Sequence, residues 1–276
     1  MKFKIAVVQF SITPFAPEQN LRKAERFIQE AAGQADLIVF PEDFVTGPLS
    51  SNADYADYDG KYVRHFQQLA LSYGIDLVCG SIIEGDQHGL YNTTSYIEKN
   101  GKIRGRYRKV NLWHPERPYL TAGREIPVFS TRLGRVGLVI CWDLMFPEVF
   151  RAMVAQGVEM VICPSYWCFE DAGVGLKHDA HAEITLVNAL CVTRAFENGV
   201  ILAYANAADG VDPAAEEEHL IGQSQVAVPF KGALTVLRHN QEAMFIQEVD
   251  TEILDEAEAA YQVRADLQAR RLSTGQ

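Results

Sequence analysis

The chain has 276 residues, 48% hydrophobic and 22% charged, an ordinary balance for a globular protein with material for a sizeable core. A formal charge of −11 disfavours non-specific binding to nucleic acid or an anionic membrane, and no apolar run approaches the ~18 residues that would span a bilayer. Five cysteines without regular spacing point to reduced thiols, so a cytoplasmic location is expected.

Residues 4–10 form a nearly continuous apolar run that reads as a first strand, since no small-residue cleavage site follows it. Pro14 and Pro17 punctuate the next loop. A helix then starts near Pro17 or Glu18, with Leu21, Ala24, Phe27, Ile28 and Ala31 on one face and Gly33 as its stop. Asp36-Leu-Ile-Val-Phe-Pro41-Glu42 is a second buried strand that ends on a polar group. Residues 45–60 read as loop, and residues 61–73 as a helix stopped by Gly74. A third strand is expected over 76–83. A hairpin of 91–97 with 103–107 follows, turning at Lys99-Asn100-Gly101-Lys102.

Residues 108–123, with Pro115, Pro118 and Gly123, are expected to be an irregular surface segment. A strand over 136–141 ends at Cys141, a helix runs near 147–156, and a strand covers 158–163. Residues 178–198 read as a long helix with Ile184, Val187, Leu190, Cys191, Arg194 and Ala195 on one face. Beyond it lie a strand over 200–205 and an acidic loop over 208–219 that contains Glu216-Glu217-Glu218. A hairpin of 222–229 with 233–239, a strand over 243–249 and a helix over 251–261 complete the series. The tail from Arg264 onward reads as detached from the core. No linker or repeat interrupts the chain, so one domain over 1–276 is expected, with its core at about 4–255 and a tail over 262–276. The mixture of βαβ units and hairpins points to an α/β or α+β layered sandwich.

Three strand ends carry groups that can do chemistry together. Cys141 closes an apolar strand beside a helix start, a common way to present a nucleophile. A thiol is mostly protonated at neutral pH (pKa ~8.5) and needs a base. Glu42, at the end of another apolar strand, can serve if its pKa is raised towards neutrality. Lys109, at the end of the 103–107 strand, can balance the charge and stabilise an oxyanion. Each also has a plainer reading: a buried small hydrophobe, a surface carboxylate, one of several solvated basic residues. Spacing alone does not bring them together.

Phe40-Pro41-Glu42-Asp43-Phe44, Tyr107-Arg108-Lys109-Val110-Asn111-Leu112 and Val139-Ile140-Cys141-Trp142-Asp143-Leu144-Met145-Phe146-Pro147-Glu148 resemble, in order, the signature segments of the carbon–nitrogen hydrolase (nitrilase) superfamily. Weaker matches are Val8-Gln9, Arg194-Ala-Phe-Glu197-Asn198, Gly222-Gln-Ser224 and Pro229-Phe-Lys-Gly232. The resemblance implies a four-layer α-β-β-α sandwich, a homodimer or larger homo-oligomer, and a Glu42-Lys109-Cys141 triad that works without a cofactor or metal. It also places Glu116 as a second active-site glutamate and the Trp142 N–H as an oxyanion donor. One departure is Thr121-Ala122-Gly123, where many members carry Pro-Gly.

The activity implied is hydrolysis of a non-peptide C–N bond through a thioester, releasing ammonia or an amine. Cys-Trp-Asp with Phe-Pro-Glu and Arg151-Ala-Met is similar to the carbamoyl-amine and aliphatic amidase branches. A small amide or N-carbamoyl substrate is therefore expected ahead of a nitrile. Trp142 and Trp167 are candidate pocket walls, and residues 165–177 a candidate cover. A nucleophilic Cys141 is expected to titrate below ~8.5. Two rival readings are a metal site from Cys163, Cys168, His178 and His181, which lacks the zincin pattern, and a catalytically silent member that only binds ligand.

Overall fold

The computed structural model describes residues 1–50, 52–210 and 219–274, and the acidic run Glu216-Glu217-Glu218 lies outside them. In chain order the elements are β1 (Lys2–Ser11), α1 (Pro17–Ala31), β2 (Leu37–Val39), α2 (Lys61–Tyr73), β3 (Asp76–Val78), β4 (Ile82–Asp86), β5 (Gly89–Ile97), β6 (Ile103–Arg108), β7 (Val128–Thr131) and β8 (Gly134–Leu138). Then follow α3 (Pro147–Val154), β9 (Met160–Ser165), α4 (Ala182–Asn198), β10 (Ile201–Ala208), β11 (Gln225–Val228), β12 (Gly232–Val236), β13 (Ala243–Asp250), α5 (Glu252–Tyr261) and α6 (Val263–Thr274).

Alternation along β1 decides the layering. Successive side chains of a strand point to opposite faces. Ile5 and Val7 face a core shared with Leu138, Ile140, Ile162 and Leu202 of the other sheet. Ala6, Val8 and Phe10 face a second core built with Ala24 and Ile28 of α1 and Val63 and Phe66 of α2. Because β1 is apolar on both faces, it must be covered on both. The result is a four-layer α-β-β-α sandwich, with α1 and α2 outside one sheet and α3 and α4 outside the other.

The first sheet runs β4-β5-β3-β2-β1, with β6 on β5 and β13 on β1, and the second runs β10-β9-β8-β7, with β11 and β12 beyond β10. They join where the end of β1 pairs in parallel with β10, Phe10 opposite Ala207 and Ser11 opposite Ala208. Gln9 reinforces the join: its Nε2 donates to the His239 and Gln241 carbonyls, and its Oε1 accepts the Ser224 N–H at 3.1 Å. The Val8-Gln9 and Gly222-Gln-Ser224 segments are thus two halves of one clamp.

Several expected boundaries move for physical reasons. The strand expected over 76–83 is broken at Cys79–Ser81, because Gly80 turns the chain at φ +57°. A Cβ there would lie 1.9 Å from the Pro41 carbonyl oxygen, so only glycine lets the segment before Glu42 pack so closely. The strand expected to reach Cys141 ends at Leu138. Cys141 instead opens a 3-10 turn over Cys141–Met145. The long helix starts at Ala182, after a 3-10 segment over Phe169–Lys177 that kinks at Gly173. Strand β7 was not expected from the sequence. The tail is not detached: α6 packs Leu267 against the core, and Arg264 Nη2 donates to the Gly199 carbonyl at 3.0 Å. Among the described residues no helix is long and apolar enough to cross a membrane.

Truncating an inward residue of β1 tests this layering. Ile5→Ala, at a fully buried position, should cost about 2–5 kcal/mol. Urea denaturation should show a lower midpoint at unchanged slope. A cost below ~1 kcal/mol would mean that this position is not between the sheets.

Candidate active site

Carboxyl ends of strands from both sheets meet at one cavity of about 450 Å³. Glu42 follows β2, Lys109 follows β6, and Cys141 lies just beyond β8. All three are buried, with Lys109 only 1% exposed. Glu116, from the irregular segment after Lys109, joins them.

The ammonium of Lys109 is the hub. Its Nζ donates to Glu42 Oε1 at 2.8 Å and to Glu116 Oε2 at 2.7 Å. Glu116 therefore pairs with Lys109, while Arg117 turns away to the Leu112 carbonyl. Asn92, an inward residue of β5, donates its Nδ2 to Glu42 Oε1 at 2.8 Å and to Glu116 Oε1 at 3.2 Å. Glu42 Oε2 accepts the Tyr166 N–H at 2.9 Å. The Glu42 N–H donates to the Ser165 carbonyl at 3.2 Å, which ties this turn to the end of β9.

These contacts set the titration of the group. Burial raises the Glu42 carboxyl above its ordinary range, partly opposed by the Lys109 charge and by a hydrogen bond from the Cys141 thiol. Burial also works against the Lys109 ammonium, but Glu42 and Glu116 outweigh it and hold that pKa well above the usual lysine value. Burial pushes the Cys141 thiol well up, and the Glu42 charge adds to the rise. The thiol shift favours a proton on sulfur, beside a carboxylate of raised basicity.

The turn that carries the thiol is held from two sides. Cys141 has φ +45°, a left-handed conformation that is costly for a side chain other than glycine, Asn or Asp. On one side, Asp143 Oδ2 accepts the Tyr107 hydroxyl at 2.7 Å and the Ile140 N–H at 3.0 Å. Its Oδ1 accepts the Asn111 N–H and side-chain amide, each at 2.9 Å. Taking the Ile140 N–H out of the ladder ends the strand short of Cys141. Tyr107 and Asn111 flank Lys109 in sequence, so Asp143 sets the lysine segment against the thiol turn. On the other side, Arg194 of α4 donates to the Leu144 and Met145 carbonyls at 3.0 and 3.2 Å. Gly123, in the segment that departs from the usual Pro-Gly, donates its N–H to the Lys109 carbonyl at 2.8 Å. A Cβ there would meet the Arg108 carbonyl oxygen at 2.2 Å.

The wall is aromatic. Trp113 and Trp142 meet edge to face at 4.2 Å, and Trp142 and Trp167 lie 5.8 Å apart. Trp167 is fixed by its Nε1, which donates to Glu183 Oε2 at 2.5 Å. Residues of the 165–177 stretch, including Tyr166 and Asp171, line the cavity as that segment's expected position requires. Trp142 is the second residue of the 3-10 turn, where a backbone N–H has no carbonyl of the same turn to bond. Sequence reasoning missed Asn92, Trp113 and Asp43. Asn92 had one signal, an uncharged polar run Asn92-Thr-Thr-Ser95 inside a strand otherwise bound for the core. The residues of the metal reading do not gather: His178 and His181 are exposed. Cys163 is buried in β9 beside Ser165, and Cys168 lines the cavity.

Residues 4–258 match the model of a family described as carbon-nitrogen hydrolase. The chain is 30% identical to a 2-oxoglutaramate amidase of Bacillus subtilis, over 91% of this chain and 92% of the relative. It is 29% identical to a nitrilase of Pyrococcus abyssi, over 90% and 89% of the two chains. A solved structure of Saccharomyces cerevisiae Nit3, a member of the nitrilase superfamily, superposes with a TM-score of 0.82 at 25% identity and covers 94% of each chain.

Removing the Asp143 carboxylate should loosen both arms of the site. Asp143→Ala leaves the Tyr107 hydroxyl, the Ile140 N–H and the Asn111 donors without their acceptor. The expected cost is about 3 kcal/mol or more, measured by chemical denaturation. A variant as stable as the parent would show that these bonds do not hold the turn.

Proposed function

The chain belongs to the carbon–nitrogen hydrolase family and is a hydrolase of C–N bonds, and we propose that it cleaves a small amide or N-carbamoyl compound through a thioester on Cys141. The observation that carries this reading is the buried Lys109 ammonium, bonded to Glu42 in the cavity that also holds the thiol. Glu42 takes the thiol proton as sulfur attacks the carbonyl carbon. The raised Glu42 pKa makes that carboxylate a stronger acceptor, while the raised thiol pKa works against a stored thiolate, so the proton moves as the sulfur attacks. Lys109 Nζ and the Trp142 N–H stabilise the oxyanion. The tetrahedral adduct then breaks its C–N bond, Glu42 returns the proton to the departing nitrogen, and ammonia or an amine leaves. Water next attacks the thioester, Glu42 removes its proton, and the acid product departs as the thiol is restored. Glu116 holds Lys109 in place throughout, and Trp142 and Trp167 wall the substrate.

Nitrile hydrolysis on the same three residues is the second reading, favoured by the nitrilase name of the Pyrococcus relative. Asp143 bears on this choice only through the geometry of the thiol turn, since its oxygens are taken by four donors. The same proposal includes a single domain, a homodimer or larger homo-oligomer, and a cytoplasmic location. In support of the last, all five cysteines are buried and none forms a disulfide.

Ammonia release screened across small amides, carbamoyl compounds and nitriles tests the reaction class. Cys141→Ser should lose turnover while keeping its melting temperature, and wild-type activity in that variant would sink the thioester. The pH profile gives an independent check. A raised Glu42 pKa means that the base is protonated, and activity lost, as pH falls through a value above the ~4.3 of an ordinary glutamate. The acid limb of kcat/KM should therefore lie above that value and move or vanish in Glu42→Gln. A limb at or below it would remove Glu42 from the role of base.

A further inference from the structure

Charge is distributed unevenly around the cavity. Its lining carries the acidic side chains Glu42, Asp43, Glu116 and Asp171, and, among the described residues, a single basic one, Lys109. That ammonium already donates to two carboxylates. Residues 211–218, the longest stretch outside those described, contain no basic residue. Asp43 Oδ1 accepts the Ser81 hydroxyl at 3.3 Å. Asp171 accepts the Cys168 N–H at 2.9 Å on the 165–177 segment.

We infer that this cavity accepts amides whose remaining part is neutral or positively charged and rejects those that end in a carboxylate. This rule of selection rests on the amide hydrolysis proposed above and names the substrate class more narrowly. An entering carboxylate would lose its water and meet like charge, with no cation left to receive it. An entering ammonium would meet the carboxylates and a lining that includes the indole rings of Trp113 and Trp142, to which cations are attracted. Titration of the lining agrees in sign. Burial raises the Tyr119 phenol, and the charges of Asp43, Glu116 and Glu42 raise it further against the opposing Lys109 ammonium. Even with Asp43 uncharged, as its strongly raised pKa allows, three carboxylates face one ammonium.

The test uses three primary amides of matched length that end in a methyl, an ammonium and a carboxylate: pentanamide, 4-aminobutanamide and succinamate. Ammonia release by the wild-type protein and binding to Cys141→Ala are measured for each. Succinamate should show kcat/KM and affinity at least about tenfold below pentanamide, while 4-aminobutanamide should equal or exceed it. Asp171→Asn keeps an acceptor for the Cys168 N–H, and it should improve succinamate relative to pentanamide by about threefold. Succinamate used or bound as well as pentanamide overturns the charge rule and leaves the amidase reading standing. Absence of ammonia from all three counts against the amidase reading, while the order of binding to Cys141→Ala still decides the charge rule.

Discussion

A lysine ammonium with 1% of its side chain exposed is the constraint on which the rest depends. Taking such a charge out of water costs several kcal/mol unless carboxylates and hydrogen bonds replace the solvent. Here the replacement comes from Glu42 and Glu116, which Asn92 cross-links to each other. The four residues come from β5 and from chain segments that leave β2 and β6. No two neighbouring elements could assemble this group alone, so the first sheet has to form in register before the lysine can be buried. The trio keeps one surplus negative charge. That surplus helps to keep the proton on Cys141 until a substrate carbonyl takes up the electron pair.

The sandwich delivers the thiol to this group by a different device. A continued strand would point the side chain into one packed face of the sheet, but the left-handed Cys141 turns the chain out of it. Such a conformation persists only when its surroundings over-determine it. Asp143 and Arg194 do so, one through the lysine segment and the other through the outer helix α4. The two sheets and the helix layer therefore converge on five residues of 3-10 turn.

What could be read in the sequence follows from how local each determinant is. Helix α2 was legible to the residue because Gly60 and Gly74 cap a clear one-sided pattern. The three chemical residues stood out through motif order, and the four layers through resemblance. Three features were not legible, each for a physical reason. Strand ends at Val78 and Leu138 are set by Gly80, packed on the distant Pro41 carbonyl, and by Asp143, which takes the Ile140 N–H while being fixed itself by the distant Tyr107 and Asn111. Four-residue β7 is too short to show alternation. Asn92 and Trp113 gain meaning only once β5 and the segment after Lys109 face the thiol turn, and a strand asparagine carries no periodic signature.

Strand β1 also has a bearing on how the chain is made. Lys2 lies opposite Asp250 and Gln9 opposite Ala243 in the β1–β13 ladder. Strand β1 is thus translated well before the strand that pairs its second edge. Until β13 is made it presents an apolar strand with an open edge, a form that invites chaperones or mispairing between chains. The charged pocket waits in turn for β10, whose pairing with β1 joins the two sheets whose strand ends build it. The order of the chain, and not only its native contacts, therefore bears on when the site can first be assembled.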